Sequence, residues 1–285
     1  MTVMNEKSLV YRSMRLGNDQ KVNYVQSGEG QPILLVHGLA ASLHDWDDLL
    51  PEVVASGYAG YALDLLGHGE SEKPRGSHGY SVESTFEHFS KWVDSLHING
   101  PHILIGHSLG GGLSLMYALR HPERVRGLVL INPFYELAQL PPILRKMFHY
   151  QLVNTTLIEK TPYRLFRLLV DMTSLSTSVG QRESHSLPEH IRYQTALDYK
   201  RASSGIYNIP RTLPSSTLDL SHITQPTLLL WGGRDQTLAP DSFPRLAKML
   251  PNLKGQHTFP ICGHVPHQCH PQDLNPHVMN FLRGL

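Results

Sequence analysis

Apolar positions along the chain fall into two alternating patterns: short continuous runs bounded by turn residues, and longer stretches with apolar side chains three and four apart. The first pattern predicts strands buried on both faces, and the second predicts amphipathic helices packed over them. Val10 to Leu16 and Val22 to Ser27 follow one another with no helical stretch between, which predicts an antiparallel opening hairpin. A buried strand is expected at Ile33 to Val36, and further strands at Tyr58 to Leu63, Ile103 to Ile105, Val125 to Ile131, Thr227 to Trp231 and Leu253 to Phe259. Helices are expected at Trp46 to Ala55, from Ser81 onward, at Leu113 to Arg120, from near Asp241, and in a closing segment that ends near Arg283. In the helix after Ser81, Val82, Phe86, Phe89, Val93 and Leu96 share one face, which should lie on the sheet. Strand and helix alternate as in an α/β fold with a mostly parallel central sheet flanked by helices.

From about Phe134 to Ser216 that alternation stops. Helical stretches continue, with Thr161-Pro162 as an N-terminal signal and Ser186 with Glu189 as a capping box, but no strand pairs with them. The chain therefore divides into a core, 1–133 and 217–285, and a helical insertion, 134–216. Apolar residues of the insertion, Ile143, Leu144, Met147 and Phe148, then Leu165, Phe166, Leu168 and Leu169, exceed what a completed sheet can bury. A lid over a site at the sheet edge is the economical use for them, with Met147, Phe148 and Phe166 as candidate substrate contacts.

Composition removes several function classes. Lys plus Arg 25 against Asp plus Glu 24 gives a net charge of +1 without charge runs, so no nucleic-acid footprint is present. The apolar runs are far shorter than a bilayer span, and no basic-then-apolar segment follows Met1, so a soluble, cytoplasmic protein is expected. Two cysteines, Cys262 and Cys269, cannot form a disulfide framework. His264, His267 and His270 recur every third residue, yet no carboxylate or thiolate pair completes a four-ligand set beside them, so neither a metal nor a cofactor is expected.

Candidate chemistry centres on Gly106-His107-Ser108-Leu109-Gly110, which fits G-x-S-x-G. Lying between a predicted strand and a predicted helix, the motif places Ser108 on a sharp turn at the sheet edge and aims a helix N-terminus at a reacting carbonyl. A serine hydroxyl also needs a base to take its proton and donors to steady the oxyanion. His37 and His107 are read as structural rather than as that base.

With this motif, His37-Gly38-Leu39, Asp64 through Gly69-Glu70-Ser71, His121-Pro122-Glu123-Arg124-Val125, Trp231-Gly232-Gly233-Arg234-Asp235 and Gly263-His264-Val265-Pro266 follow in order. In these blocks the chain resembles the α/β-hydrolases, and within them the lidded serine esterase and haloperoxidase-like group. The resemblance implies the chain order nucleophile, acid, histidine, supplied by Ser108, Asp235 and His264. It also implies an oxyanion hole from the backbone N–H groups of Leu39 and Leu109. Asp235 follows four apolar strand residues and His264 follows Phe259, so both belong on loops at the edge that holds Ser108. Some relatives carry the acid after an earlier strand, where Asn132 stands here, and many carry an acidic residue in place of Cys269.

Similar haloalkane dehalogenases and epoxide hydrolases use an aspartate nucleophile, which Ser108 replaces. The expectation is a carboxylesterase-type serine hydrolase that cleaves uncharged esters of short to medium acyl chain through an acyl-enzyme. The nearest rival is a carbon–carbon bond hydrolase of ring-cleavage products, which keeps the same three residues. Its usual glycine-rich segment is replaced here by Leu39-Ala40-Ala41-Ser42. Lipase, lactonase, thioesterase and perhydrolase activities fit the same residues. A non-catalytic ligand-binding relative is disfavoured, because such a protein has no chemical need for the intact triad.

Overall fold

The computed structural model describes residues 9–150, 160–165, 167–168, 187–213 and 218–285. The opening hairpin, β1 (Val10–Arg15) and β2 (Lys21–Ser27), is antiparallel. Six further strands follow: β3 (Pro32–Val36), β4 (Ala59–Leu63), β5 (His102–His107), β6 (Val125–Ile131), β7 (Thr227–Gly232) and β8 (Leu253–Phe259). They complete one eight-stranded sheet in the order β1-β2-β4-β3-β5-β6-β7-β8, in which β4 through β8 run parallel. Strand order reverses at β3, with β4 on one side and β5 on the other, so the loops after β3 and β5 diverge and leave a crevice at their carboxyl ends.

The continuous apolar runs hide a two-residue alternation between two cores. Leu34 and Val36, Leu104, Leu128 and Leu130, and Leu229 and Trp231 face one layer. Ile33 and Leu35, Ile103 and Ile105, Val129 and Ile131, and Leu228 and Leu230 face the other. Each such side chain contributes about 1.5–3 kcal/mol when fully buried, so both faces must be covered. Helices α1 (Leu50–Ala55) and α8 (Pro271–Arg283) cover the second layer through Leu50, Val53, Leu274 and Val278. On the first layer lie α2 (Val82–Ser95), α3 (Leu109–Arg120) and α6 (Ser242–Met249). Ser81 caps α2 by a reciprocal box with Ser84, and Val82, Phe86, Phe89 and Val93 are its buried face.

The helix expected at Trp46 to Ala55 is instead a short turn of 3₁₀ helix, Leu43–Trp46, followed by α1 from Leu50. Pro51 accounts for the split, since it lacks the N–H an interior helical residue donates and is accommodated in the first turn. Between β6 and β7 the described residues contain no strand; they include α4 (Pro142–His149) and α5 (Glu189–Arg201). Residues 163–165, after Thr161-Pro162, are helical, whereas Ser186 lies outside the described residues and α5 starts behind Pro188. A short helix, α7 (Pro266–Cys269), precedes α8. No helix among the described residues is long and apolar enough to cross a membrane.

Candidate active site

Ser108 sits between β5 and α3 with φ 50° and ψ −115°, a left-handed backbone that costs a non-glycine residue on the order of 1–3 kcal/mol. Three hydrogen bonds hold it: Ser108 N–H donates to the Ile131 carbonyl at 3.0 Å, and the Ser108 carbonyl accepts from Phe134 at 2.9 Å and Gly112 at 3.1 Å. The flanking glycines are required by close approach. A Cβ on Gly110 would stand 2.0 Å from the Val36 carbonyl oxygen, and one on Gly106 would stand 2.5 Å from that of Gly110.

The crevice gathers the other two members of the serine-histidine-acid set from β7 and β8. Ser108 Oγ lies 3.0 Å from His264 Nε2, and His264 Nδ1 lies 2.7 Å from Asp235 Oδ2. With Nδ1–H donating to the carboxylate, Nε2 is free to accept the Ser108 proton. The Asp235 side chain is fully buried, and every neighbour of its carboxylate is a donor. Oδ2 also accepts from Asn132 Nδ2 at 2.7 Å, and Oδ1 accepts from the N–H groups of Thr237 at 2.8 Å and Leu238 at 2.9 Å.

Asn132 thus occupies the alternative acid position and acts on the acid from there, while its Oδ1 accepts from Gly232 N–H at 3.3 Å. Removing it with Asn132→Ala takes one donor from a buried carboxylate. Any turnover that runs through this set is expected to fall about tenfold, equivalent to the roughly 1.5 kcal/mol of a hydrogen bond to a charged group. Steady-state kinetics check this, and an unchanged kcat/KM contradicts it.

The loop after β3 is fixed by two neutral histidines. His37 donates from Nδ1 to the Gly38 carbonyl at 2.7 Å and accepts Leu65 N–H at 3.0 Å on Nε2. His68 donates to the Leu66 carbonyl at 2.9 Å and accepts Ala40 N–H at 3.0 Å. Burial pushes the pKa of both rings down, well down for His68, which keeps each Nε2 an acceptor. Ala40 N–H is therefore occupied, whereas neither Leu39 N–H nor Leu109 N–H meets an acceptor among the described residues. Both leucines line the cavity that holds Ser108.

His107 turns away from Ser108 and toward Asp45, a residue that sequence reasoning passed over. Its Nδ1–H donates to Asp45 Oδ2 at 3.1 Å, and its Nε2 lies 3.0 Å from the carbonyl oxygen of His264. Asp45 also accepts from Gln268 at 2.8 Å and lies 3.7 Å from His267 Nε2. The spaced histidines therefore separate: His264 joins Ser108, His267 joins Asp45, and His270 approaches Asp273 at 3.4 Å. Asp45, His107 and His267 are close enough to offer three ligand atoms to a metal ion, within 4.8 Å of one another. Asp45 Oδ2 and His107 Nδ1 are hydrogen-bonded to each other. Cys269 closes α7, and burial pushes its thiol pKa up, so it stays protonated.

A cavity of about 680 Å³ opens over Ser108. Core residues Leu39, Leu109, Leu238 and Val265 form one side, while Leu140, Ile143, Leu144, Phe148, Ile191 and Tyr199 from the segment after β6 form the other. Of the three expected contacts in that segment, Phe148 lines the cavity, Met147 does not, and Phe166 lies outside the described residues. Ile143, Leu144 and Phe148 span about 140° of the α4 circumference, and Met147 falls inside that arc without lining the cavity, so helical phase does not explain its absence. No Lys or Arg lines the cavity among the described residues.

A family model of the alpha/beta hydrolase fold matches residues 31–271, and the chain belongs to that family. The 2-hydroxy-6-oxo-2,4-heptadienoate hydrolase of Pseudomonas putida is 29% identical over 259 residues, which are 88% of this chain and 88% of that one. Epoxide hydrolase 4 of Homo sapiens is 29% identical over 277 residues, 92% of this chain and 76% of its own. Among solved structures, a membrane phospholipase A described as a novel bacterial virulence factor matches with a TM-score of 0.77 and 26% identity, covering 97% of this chain and 86% of that one.

Proposed function

We propose that this member of the alpha/beta hydrolase family is a serine hydrolase that cleaves uncharged carboxylic esters of short to medium acyl chain. The observation that carries the reading is the continuous relay from Ser108 Oγ through His264 to Asp235, open to an apolar cavity. His264 takes the Ser108 proton as Oγ attacks the ester carbonyl, and Asp235 holds the ring orientation and stabilises its charged form. The N–H groups of Leu39 and Leu109 receive the oxyanion. His264 then returns the proton to the departing alcohol, leaving an acyl group on Ser108. Water enters by the same base and releases the acid. In this reading residues 134–216 are a lid whose Leu144 and Phe148 bound the acyl chain and keep bulk water from the intermediate.

Carbon–carbon bond cleavage of ring-cleavage products is the second reading, favoured by the Pseudomonas putida relative. That relative's name specifies a dienoate, a substrate with a carboxylate. A cavity wall with no Lys or Arg among its described residues gives such a group no permanent cation to pair with, which favours the uncharged ester.

Hydrolysis of p-nitrophenyl acetate, butyrate and octanoate, beside a ring-cleavage dienoate, separates the readings. Ester turnover with dienoate cleavage much slower supports the first, and the opposite order overturns it. Ester kcat/KM should also fall as the pH is lowered, because imidazolium at His264 cannot accept the Ser108 proton. A rate that holds level or rises toward acid rules out His264 as the base.

A further inference from the structure

Helix α5 carries a carboxyl group that the triad chemistry does not use. Asp198 is only 5% exposed, yet it lines the same cavity as Ser108. Gln194, one turn earlier on α5, donates to its Oδ1 at 2.8 Å, and the Ser42 side chain stands beside it from the loop after β3. No Lys or Arg among the described residues pairs with it, while His44, which lines the same cavity, opposes its charge. Lys200 and Arg201, the next basic residues on the helix, reach the Thr161 carbonyl at 2.9 Å and Glu70 at 3.7 Å instead. The titratable groups that act on it are His44 and Asp45, from the turn Leu43–Trp46, and Tyr199 beside it on α5. His44 is itself taken by Asp47 at 3.1 Å.

We propose that Asp198, held by Gln194 and Ser42, is a specificity-determining residue that filters substrates by charge: it accepts a hydrogen bond from an uncharged polar group and rejects a carboxylate. This rests on the ester reading above and names the substrate feature that the cavity selects. An ionised Asp198 and a substrate carboxylate in one low-dielectric cavity repel each other, with no described Lys or Arg to screen them. A hydroxyl or amide N–H meets an acceptor there instead. Once protonated, Asp198 no longer repels an anion and can donate to it, so the filter relaxes. Burial raises the Asp198 pKa to about 7, with Asp45 adding to the rise and His44 opposing it. The filter is therefore relaxed below neutral pH and strengthens as the pH rises through that value.

The test compares matched esters that differ only in one charge. One pair places it on the acyl side: the mono-p-nitrophenyl ester of adipic acid against its methyl ester. The other places it on the leaving group: 4-carboxyphenyl butyrate against its methyl ester. The readout is the ratio of kcat/KM, neutral over anionic, as a function of pH. Protonation of His264 in the free enzyme affects both members equally and cancels from the ratio. In the wild-type protein the ratio of at least one pair is expected to rise about tenfold between about pH 6 and about pH 8.5. In Asp198→Asn, which keeps the size of the side chain and removes its charge, the ratio should be low and flat. Ratios that stay flat in both pairs for the wild type overturn the filter without use of any variant, and so does the same rise in Asp198→Asn. Absence of turnover on the neutral esters overturns the ester reading, whereas turnover with flat ratios overturns the filter alone.

Discussion

Ser108→Ala is expected to lower kcat/KM for a p-nitrophenyl ester by roughly 10⁴- to 10⁶-fold, and adding His264→Ala should lower it little further. The two side chains meet at 3.0 Å and in the proposed mechanism serve one proton transfer, so once the hydroxyl is gone the base has nothing to activate. Residual turnover would come from Leu39 N–H, Leu109 N–H and the cavity, which both variants keep. Truncating Ser108 also leaves the elbow backbone in place, since its three hydrogen bonds use only main-chain atoms. Kinetics on the two single variants and the double variant, with circular dichroism to confirm folding, measure the coupling. Losses that multiply would mean that the two residues act in separate steps.

Asp235→Asn is expected to cost about 10⁴-fold in kcat, and here the structure makes the substitution harsher than a loss of charge. All four contacts of the carboxylate are donors: His264 Nδ1–H, Asn132 Nδ2 and the N–H groups of Thr237 and Leu238. An amide has one acceptor oxygen, so in either orientation its NH₂ faces donors. If the NH₂ points to His264, the imidazole is driven to the tautomer that carries its proton on Nε2, where it can no longer accept from Ser108. If it points the other way, it opposes the part-buried N–H of Thr237 and the buried N–H of Leu238, at a cost of about 1–3 kcal/mol for a buried unsatisfied group. A kinetic loss with some loss of stability to urea is therefore expected. Turnover within tenfold of wild type would move the acid to another residue.

Much of this architecture was legible in the chain because parallel strands buried on both faces leave unbroken apolar runs. β6 lies where that pattern placed it, β8 has its expected bounds without being such a run, and the elbow follows from a G-x-S-x-G that joins a strand to a helix. What escaped depends on pairings far apart in sequence. Asp45 meets His107 across 62 positions, and Asn132 meets Asp235 across 103, with no local motif to announce either. Asp198 is equally silent, since on α5 it looks like any polar residue between apolar neighbours until the helix is laid over Ser42. The helix expected from Trp46 failed for a local reason that was visible, Pro51, whereas Met147 shares the helical arc of Ile143, Leu144 and Phe148 and still does not line the cavity. The every-third-residue histidines show the converse: a pattern conspicuous in sequence is divided by the turn into α7, which sends its members to three different acids.

The proposal stands most directly on the covalent step. Rapid-quench mass spectrometry of the protein during turnover of p-nitrophenyl butyrate, followed by peptide mapping, should find a butyryl group on Ser108 with an amplitude that matches the burst of p-nitrophenol. A burst without acylation of Ser108, acylation of a different residue, or no release of p-nitrophenol while a ring-cleavage dienoate is consumed would contradict it.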